Sequence, residues 1–175
     1  MHFEVYRWAR PTGVGSLLGF LLIVCLLSGC GSLGSPGPGF EEAAQRGDPQ
    51  RRASMGLVLE GIAFDERGDT RKALSKYERS LQMDSGNPYA YLALARYFIE
   101  QGDIESGLVY LDQARTMFED AGLISNRVEA HLRGLRGSAL QAQGRMRDAS
   151  PLLDYAARLD PAVWGDGQLE PGELL

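Results

Sequence analysis

Histidine and cysteine are nearly absent from this 175-residue chain, which has two of each. Both cysteines, Cys25 and Cys30, fall within the first thirty residues, and beyond them the only histidine is His131. That shortage removes most routes to a reactive centre. Cys-His and Ser-His-Asp arrangements lack parts or rest on one residue, and a zinc site needs several such ligands. Residues 31–175 cannot form a disulfide, so packing must hold them together. A glycine-rich phosphate loop is missing too: Gly134-Leu135-Arg136-Gly137 reads as a small-residue patch on a helix, with no Gly-Lys-Ser/Thr after it. Asp65 and Glu66 are adjacent acids at a helix end, where a solvated face is the expectation. The expectation is a non-enzyme with no cofactor and no metal. An enzyme is the weakest of the classes weighed.

Positive charge is also scarce, with 18 Lys and Arg against 23 Asp and Glu, a formal net charge of −5. Affinity for nucleic acid rests largely on neutralising phosphates, so a nucleic acid partner is not expected.

What the chain does have is an ordered N-terminal pattern. Arg7 and Arg10 give a positive start, Ser16 to Leu27 form an apolar core broken only by Gly19, and Ser28 and Gly29 precede Cys30. Leu27-Ser28-Gly29-Cys30 resembles the lipobox of bacterial lipoproteins. The resemblance implies cleavage before Cys30, a diacylglyceryl thioether on its sulfur and an acylated amine. Each buried CH₂ of such chains contributes about 0.8 kcal/mol, and more than one chain is needed for stable anchoring. An alternative keeps uncharged Gly13 to Leu33 as an uncleaved membrane anchor, since about 20 apolar residues cross a bilayer. Both readings place the rest of the chain outside the cytoplasm, with the periplasmic face of the outer membrane favoured over the inner membrane because Gly31 lacks the acidic residue that resembles a retention signal.

Composition then divides the chain into residues 1–29 as signal peptide, 30–47 as lipidated cysteine and linker, 48–164 as the folded part and 165–175 as an acidic flexible tail. Gly31 to Gly39 is almost wholly Gly, Ser and Pro, a solvated tether. The stretch from Gly31 to Gly47 would span roughly 20–25 Å as a flexible chain. Gly165, Gly167, Pro171 and Gly172 sit among three acids, a weak helix former.

Within the folded part a pattern repeats. Gly61, Phe64, Gly68, Asp69 and Leu74 recur 34 positions on as Ala95, Phe98, Gly102, Asp103 and Leu108, and a third copy follows after 42 as Gly137, Leu140, Gly144, Ala149, Leu153, Ala156 and Pro161. The eight extra residues near Ala121 to Val128 should lengthen helices or a loop. Asp48-Pro49 and Asn87-Pro88 each put an N-cap before a proline at the first helical position. Asp69 and Asp103 suit the caps of the second helices, after Gly68 and Gly102. Asn126 with Glu129 suggests a capping box. Pro151 fits best if its helix starts after Asp148.

These positions resemble the tetratricopeptide repeat, a helix-turn-helix unit of 34 residues. The resemblance implies an all-α fold, a short α-solenoid of about three helix pairs. Glu60, Ser85, Arg133 and Arg136 depart from the family pattern. It also implies a concave surface lined by the first helix of each pair, which here places Met55, Val58, Ile62 and Asp65, then Tyr89, Leu92, Arg96 and Ile99, then His131, Gly134, Ser138 and Gln141. Packing between repeats is the competing account of Val58, Ile62 and Leu92. Receptors of this family that clamp a chaperone's terminal carboxylate use Lys and Asn where this chain has Val58 and Ile62, so that function is set aside.

The layout resembles repeat-bearing lipoproteins that escort pilus or secretion pores, or adapt cell-wall enzymes. The implied function is a membrane-anchored scaffold binding another envelope protein, with Tyr89 and Arg96 as the expected anchors. The rival is a self-associating structural element, a homodimer in which Trp164 could be covered by a second copy.

Overall fold

The computed structural model describes residues 48–175. The signal segment, Cys30 and the linker lie outside the described residues.

Seven helices and one 3-10 turn follow in order: α1 Pro49–Asp65, α2 Thr70–Met83, α3 Pro88–Glu100, α4 Ile104–Asp120, α5 Asn126–Ala142, α6 Met146–Leu159, α7 Pro161–Trp164, and a 3-10 turn at Pro171–Glu173. The described residues contain no strand. Local chemistry sets the starts. Asp48 accepts from the Arg51 amide at 2.7 Å and Asn87 from the Tyr89 amide at 3.1 Å, each ahead of a proline whose missing N–H would have had no partner. Asp103 caps through the Ser106 amide at 3.2 Å. Asp69 does not cap; its carboxylate accepts from Lys72 Nζ at 3.1 Å instead. The cap of α5 is Ser125, which takes the Val128 amide at 3.2 Å, so Asn126 stands one position inside the helix and makes no capping box. Helix α6 begins at Met146 and runs through Pro151. One missing N–H in the second turn removes a single intrahelical bond, and the rest of the ladder continues past it.

The sequence period is visible as three helix pairs, α1 with α2, α3 with α4 and α5 with α6. Gly68, Gly102 and Gly144 end the first helix of each pair with φ between 75 and 81°, the left-handed region open to glycine without penalty. The 42-residue step is absorbed by the helices: α4 and α5 have 17 residues each, against 14 in α2 and 13 in α3.

Small residues let each pair close. A Cβ placed on Gly61 would lie 2.3 Å from Tyr77 Cε1, and one on Gly137 would lie 2.9 Å from Leu153 Cγ. These sites correspond in the repeat, and so does Ala95, which is fully buried opposite its own second helix. The departures from the family pattern are met by pairing. Glu60 accepts from Lys76 across the first pair, Arg136 binds Asp112 across α4 and α5, and Arg133 binds Glu129 while lying 4.6 Å over the Tyr155 ring.

A buried polar cluster locks the first pair to the second. Ser80 Oγ donates to the Ser54 carbonyl at 2.9 Å, and Asn87 Nδ2 reaches Ser54 Oγ at 2.8 Å and Ser80 Oγ at 3.3 Å. All three residues are fully buried, so each hydroxyl and amide would be costly if left unpaired.

Residues 165–175, expected as a flexible tail, are instead packed. Leu169, Pro171 and Leu174 are buried, and Glu170 and Glu173 form a capping box around the 3-10 turn, with the Glu170 amide donating to Glu173 at 3.0 Å. Composition had argued against a helix, correctly; the segment is fixed by burying its apolar side chains on the solenoid.

Candidate protein-binding groove

The inward-facing residues of α1, α3 and α5 come together as expected, but they are not open to solvent. Met55, Val58, Ile62, Tyr89, Leu92, Arg96, Ile99, His131 and Gly134 are all buried, as is Asp65; Ser138 is half-buried and Gln141 exposed. Inter-helix packing explains part of this burial. Tyr89 meets Phe118 of α4 edge to face, ring centroids 5.0 Å apart, which makes it a core residue of the second pair instead of a surface anchor.

The remainder is covered by the chain's own C-terminal segment. Val163, Trp164, Leu169 and Leu174 belong to one apolar cluster with Met55, Val58, Ile62, Leu92, Ile99 and Leu135. The Trp164 ring lies against Gly134 so closely that a Cβ there would be 2.4 Å from its Cη2. Its Nε1–H donates to His131 Nδ1 at 3.1 Å. Arg96 Nη1 lies 3.5 Å from the Leu169 carbonyl, and Gly172 meets the Glu66 carboxylate. Arg127 binds Asp160 at 3.2 Å and the Leu175 carbonyl at 2.9 Å. Trp164 is thus buried within its own chain, and Leu169 and Leu174 are groove residues that sequence reasoning missed. The available signal was three large apolar side chains at intervals of five, Trp164, Leu169 and Leu174, separated by Gly, Pro, acids and one Gln.

Electrostatics divide the groove. At the α5 end, burial depresses the His131 pKa to about 4, helped by the Arg127 charge and opposed by Asp160, so the imidazole is neutral near pH 7. A donated indole hydrogen requires Nδ1 to be bare, which puts the ring proton on Nε2. At the α1 end, Arg96 binds Asp65, with both side chains 4% exposed, and Glu100 at 2.8 Å. Tyr77 donates to Asp65 at 3.2 Å, and its phenol pKa is raised by burial and then by the Asp65 charge. Asp65 is therefore a buried ion-pair member, not part of a solvated acidic face.

Beside that pair opens a cleft of about 470 Å³ lined by Asp65, Glu66, Gly68, Thr70, Glu100, Glu170, Pro171, Gly172 and Glu173. Among the described residues, no three His, Cys, Asp or Glu side chains are grouped to hold a metal ion, and no helix is long and apolar enough to cross a membrane.

Comparison with known proteins agrees with the repeat geometry. Residues 66–135 match the family model described as Tetratricopeptide repeat. Among solved structures the chain is similar to the N-terminal domain of stress-induced protein-1 (STI-1) from C. elegans, at 18% identity and a TM-score of 0.55, over 73% of this chain and 98% of that one. No curated protein sequence matches the chain. The described residues form an all-helical solenoid that resembles the tetratricopeptide fold. Repeats of this type generally mediate contact between proteins.

Proposed function

We propose that this protein is a lipid-anchored scaffold of the bacterial envelope, held at the membrane through Cys30 and binding another envelope protein through the inner face of its repeats. The anchor reading rests on Leu27-Ser28-Gly29-Cys30 and the apolar core behind it. The binding reading is carried by one observation. The inner face of α1, α3 and α5 already holds an irregular polypeptide segment by side-chain pockets and by bonds to its backbone carbonyls. A surface that accommodates such a segment in its own chain has the shape and donors for one from a partner, with the helix pairs supplying a rigid frame. A pilus or secretion pore and cell-wall machinery are the envelope processes that suit this layout.

The test uses the full chain in a bacterial host. Intact-mass analysis of membrane-extracted protein should find an acylated Cys30 at the N-terminus, and Cys30→Ser should lose the lipid. A photoreactive side chain at exposed Gln141, on the rim of the groove, should crosslink an envelope protein in intact cells. An unmodified Cys30 with residues 1–29 still attached refutes the lipoprotein reading, and crosslinks only to a second copy favour the self-associating element.

A further inference from the structure

Residues 160–175 occupy the groove, but their fit to it is incomplete in two respects. First, two of the side chains that bind them keep a buried donor with no acceptor: Arg96 Nε and His131 Nε2. A buried donor without a partner is unfavourable, so a segment that offered an acceptor to either would hold more tightly. Second, the charge is of the wrong sign at one end. The cleft beside Arg96 takes Asp65, Glu66 and Glu100 from the repeats and Glu170 and Glu173 from the tail. Arg96 is the cation that pairs with this cluster, through Asp65 and Glu100. Two tail acids thus line the same cleft as three repeat acids, so the tail adds negative charge where the groove is already acidic.

The tail is also built to leave. It contains only a four-residue helix and a three-residue 3-10 turn, and Gly165, Asp166 and Gln168 between its anchors are exposed. Releasing it from Pro161 onward, Trp164 included, gives up the bonds to His131, Arg127 and Arg96 and breaks no hydrogen bond between two residues of the three helix pairs.

We propose that residues 160–175 gate the groove in cis, and that the partner which displaces them is a segment with the same apolar anchors and the opposite charge. That segment carries an indole N–H donor for His131, two leucine-sized side chains five and ten residues later for the pockets of Leu169 and Leu174, and Lys or Arg where the tail has Glu170 and Glu173. The assignment rests on the inner face being the binding face, and it names the partner's chemistry and the regulation of that site. A tethered segment acts at an effective concentration in the millimolar range, so a free competitor must gain affinity to win. The charge reversal supplies that gain.

Two synthetic peptides test it, one with the native sequence of residues 160–175 and one with Lys in place of Glu170 and Glu173. The full chain is labelled with 5-fluorotryptophan, so that the Trp164 fluorine resonance reports the bound or released tail. The lysine peptide should move that resonance to the released position at a concentration at least tenfold below that of the native peptide, and added salt should narrow the difference. A full chain with Trp164→Ala should bind both labelled peptides by anisotropy, again with the lysine peptide at least tenfold tighter. The proposal is overturned if neither peptide binds the Trp164→Ala chain while its helicity is unchanged, if the two peptides bind equally, or if Trp164 is released only as the chain dimerises. Failure of Cys30 acylation, or a partner crosslinked elsewhere, would reject the scaffold reading while leaving the peptide result standing.

Discussion

The indole of Trp164 donates to His131 across 33 residues, at 3.1 Å, and each side chain fixes the state of the other. The indole can only donate, so His131 must offer a bare Nδ1. Protonating the imidazole puts two N–H groups face to face and buries a charge near Arg127.

Stability should therefore fall in acid over a defined window. The folded-state pKa of about 4 lies below the ordinary value of 6.5, so between those values the unfolded chain binds the extra proton. The contribution is fully present above pH 6.5, declines as pH falls and is lost by about pH 4. A shift of that size corresponds to on the order of 3 kcal/mol. Urea unfolding from pH 7.5 to 4 should show the decline, and His131→Gln should flatten it relative to the parent. An unchanged slope in His131→Gln would assign the acid sensitivity to other groups.

Removing the groove's aromatic plug should cost more than an average core change. Trp164→Ala leaves a cavity against Gly134 and is expected to lower stability by about 3–5 kcal/mol. Gly134→Ala should reach the same contact from the other side, because its Cβ has no room while Trp164 is seated. Both variants should increase proteolysis near Gly165 to Gln168 before the helices unfold. Equal protection in the parent and both variants would show that the tail is held without the indole.

The Asn87 cluster predicts a cost larger than a cap alone. Asn87→Ala removes the bond to the Tyr89 amide and takes a donor from Ser54 and Ser80. A cap contributes about 1 kcal/mol and an unsatisfied buried group about 1–3 kcal/mol, so the loss should be about 2–4 kcal/mol. Asn87→Asp keeps the cap acceptor but not the donors. Thermal unfolding that places Asn87→Asp beside the parent would deny the cluster its role.

The three helix pairs were legible because their causes are local and periodic: capping residues before prolines, glycines after first helices and small residues where helices touch. Contact positions within each pair, such as Gly61, Ala95 and Gly137, follow from the same period. That Val58, Ile62, Leu92, Arg96, Ile99 and His131 belong to one set was legible from the period, and in the structure all six are buried. Their covering was not legible. Residues 165–175 have no period and a composition that resists helix, and they are fixed by contacts with helices up to about a hundred positions earlier. No local propensity encodes such contacts. Asp65 and Arg96 illustrate the same limit: each was placed on the right face, but the pairing that buries them arises only when the first two repeats stack.

That pairing allows the most discriminating measurement. Asp65 and Arg96 join α1 to α3 with both side chains almost wholly buried. Removing one partner of such a pair typically costs about 3–5 kcal/mol, because the other charge is left buried and unpaired. Arg96→Met strands Asp65 with the Tyr77 hydroxyl as its remaining side-chain partner, and it also frees the Leu169 carbonyl. Asp65→Asn strands Arg96 with half-exposed Glu100. The double variant leaves neither charge, so its loss should fall well below the sum of the single losses and close to or below either one. Urea midpoints of the four proteins give the coupling directly. Additive losses would mean that the two groups act separately. Arg96→Met should also loosen the tail while Asp65→Asn does not, which separates the Leu169 contact from the ion pair.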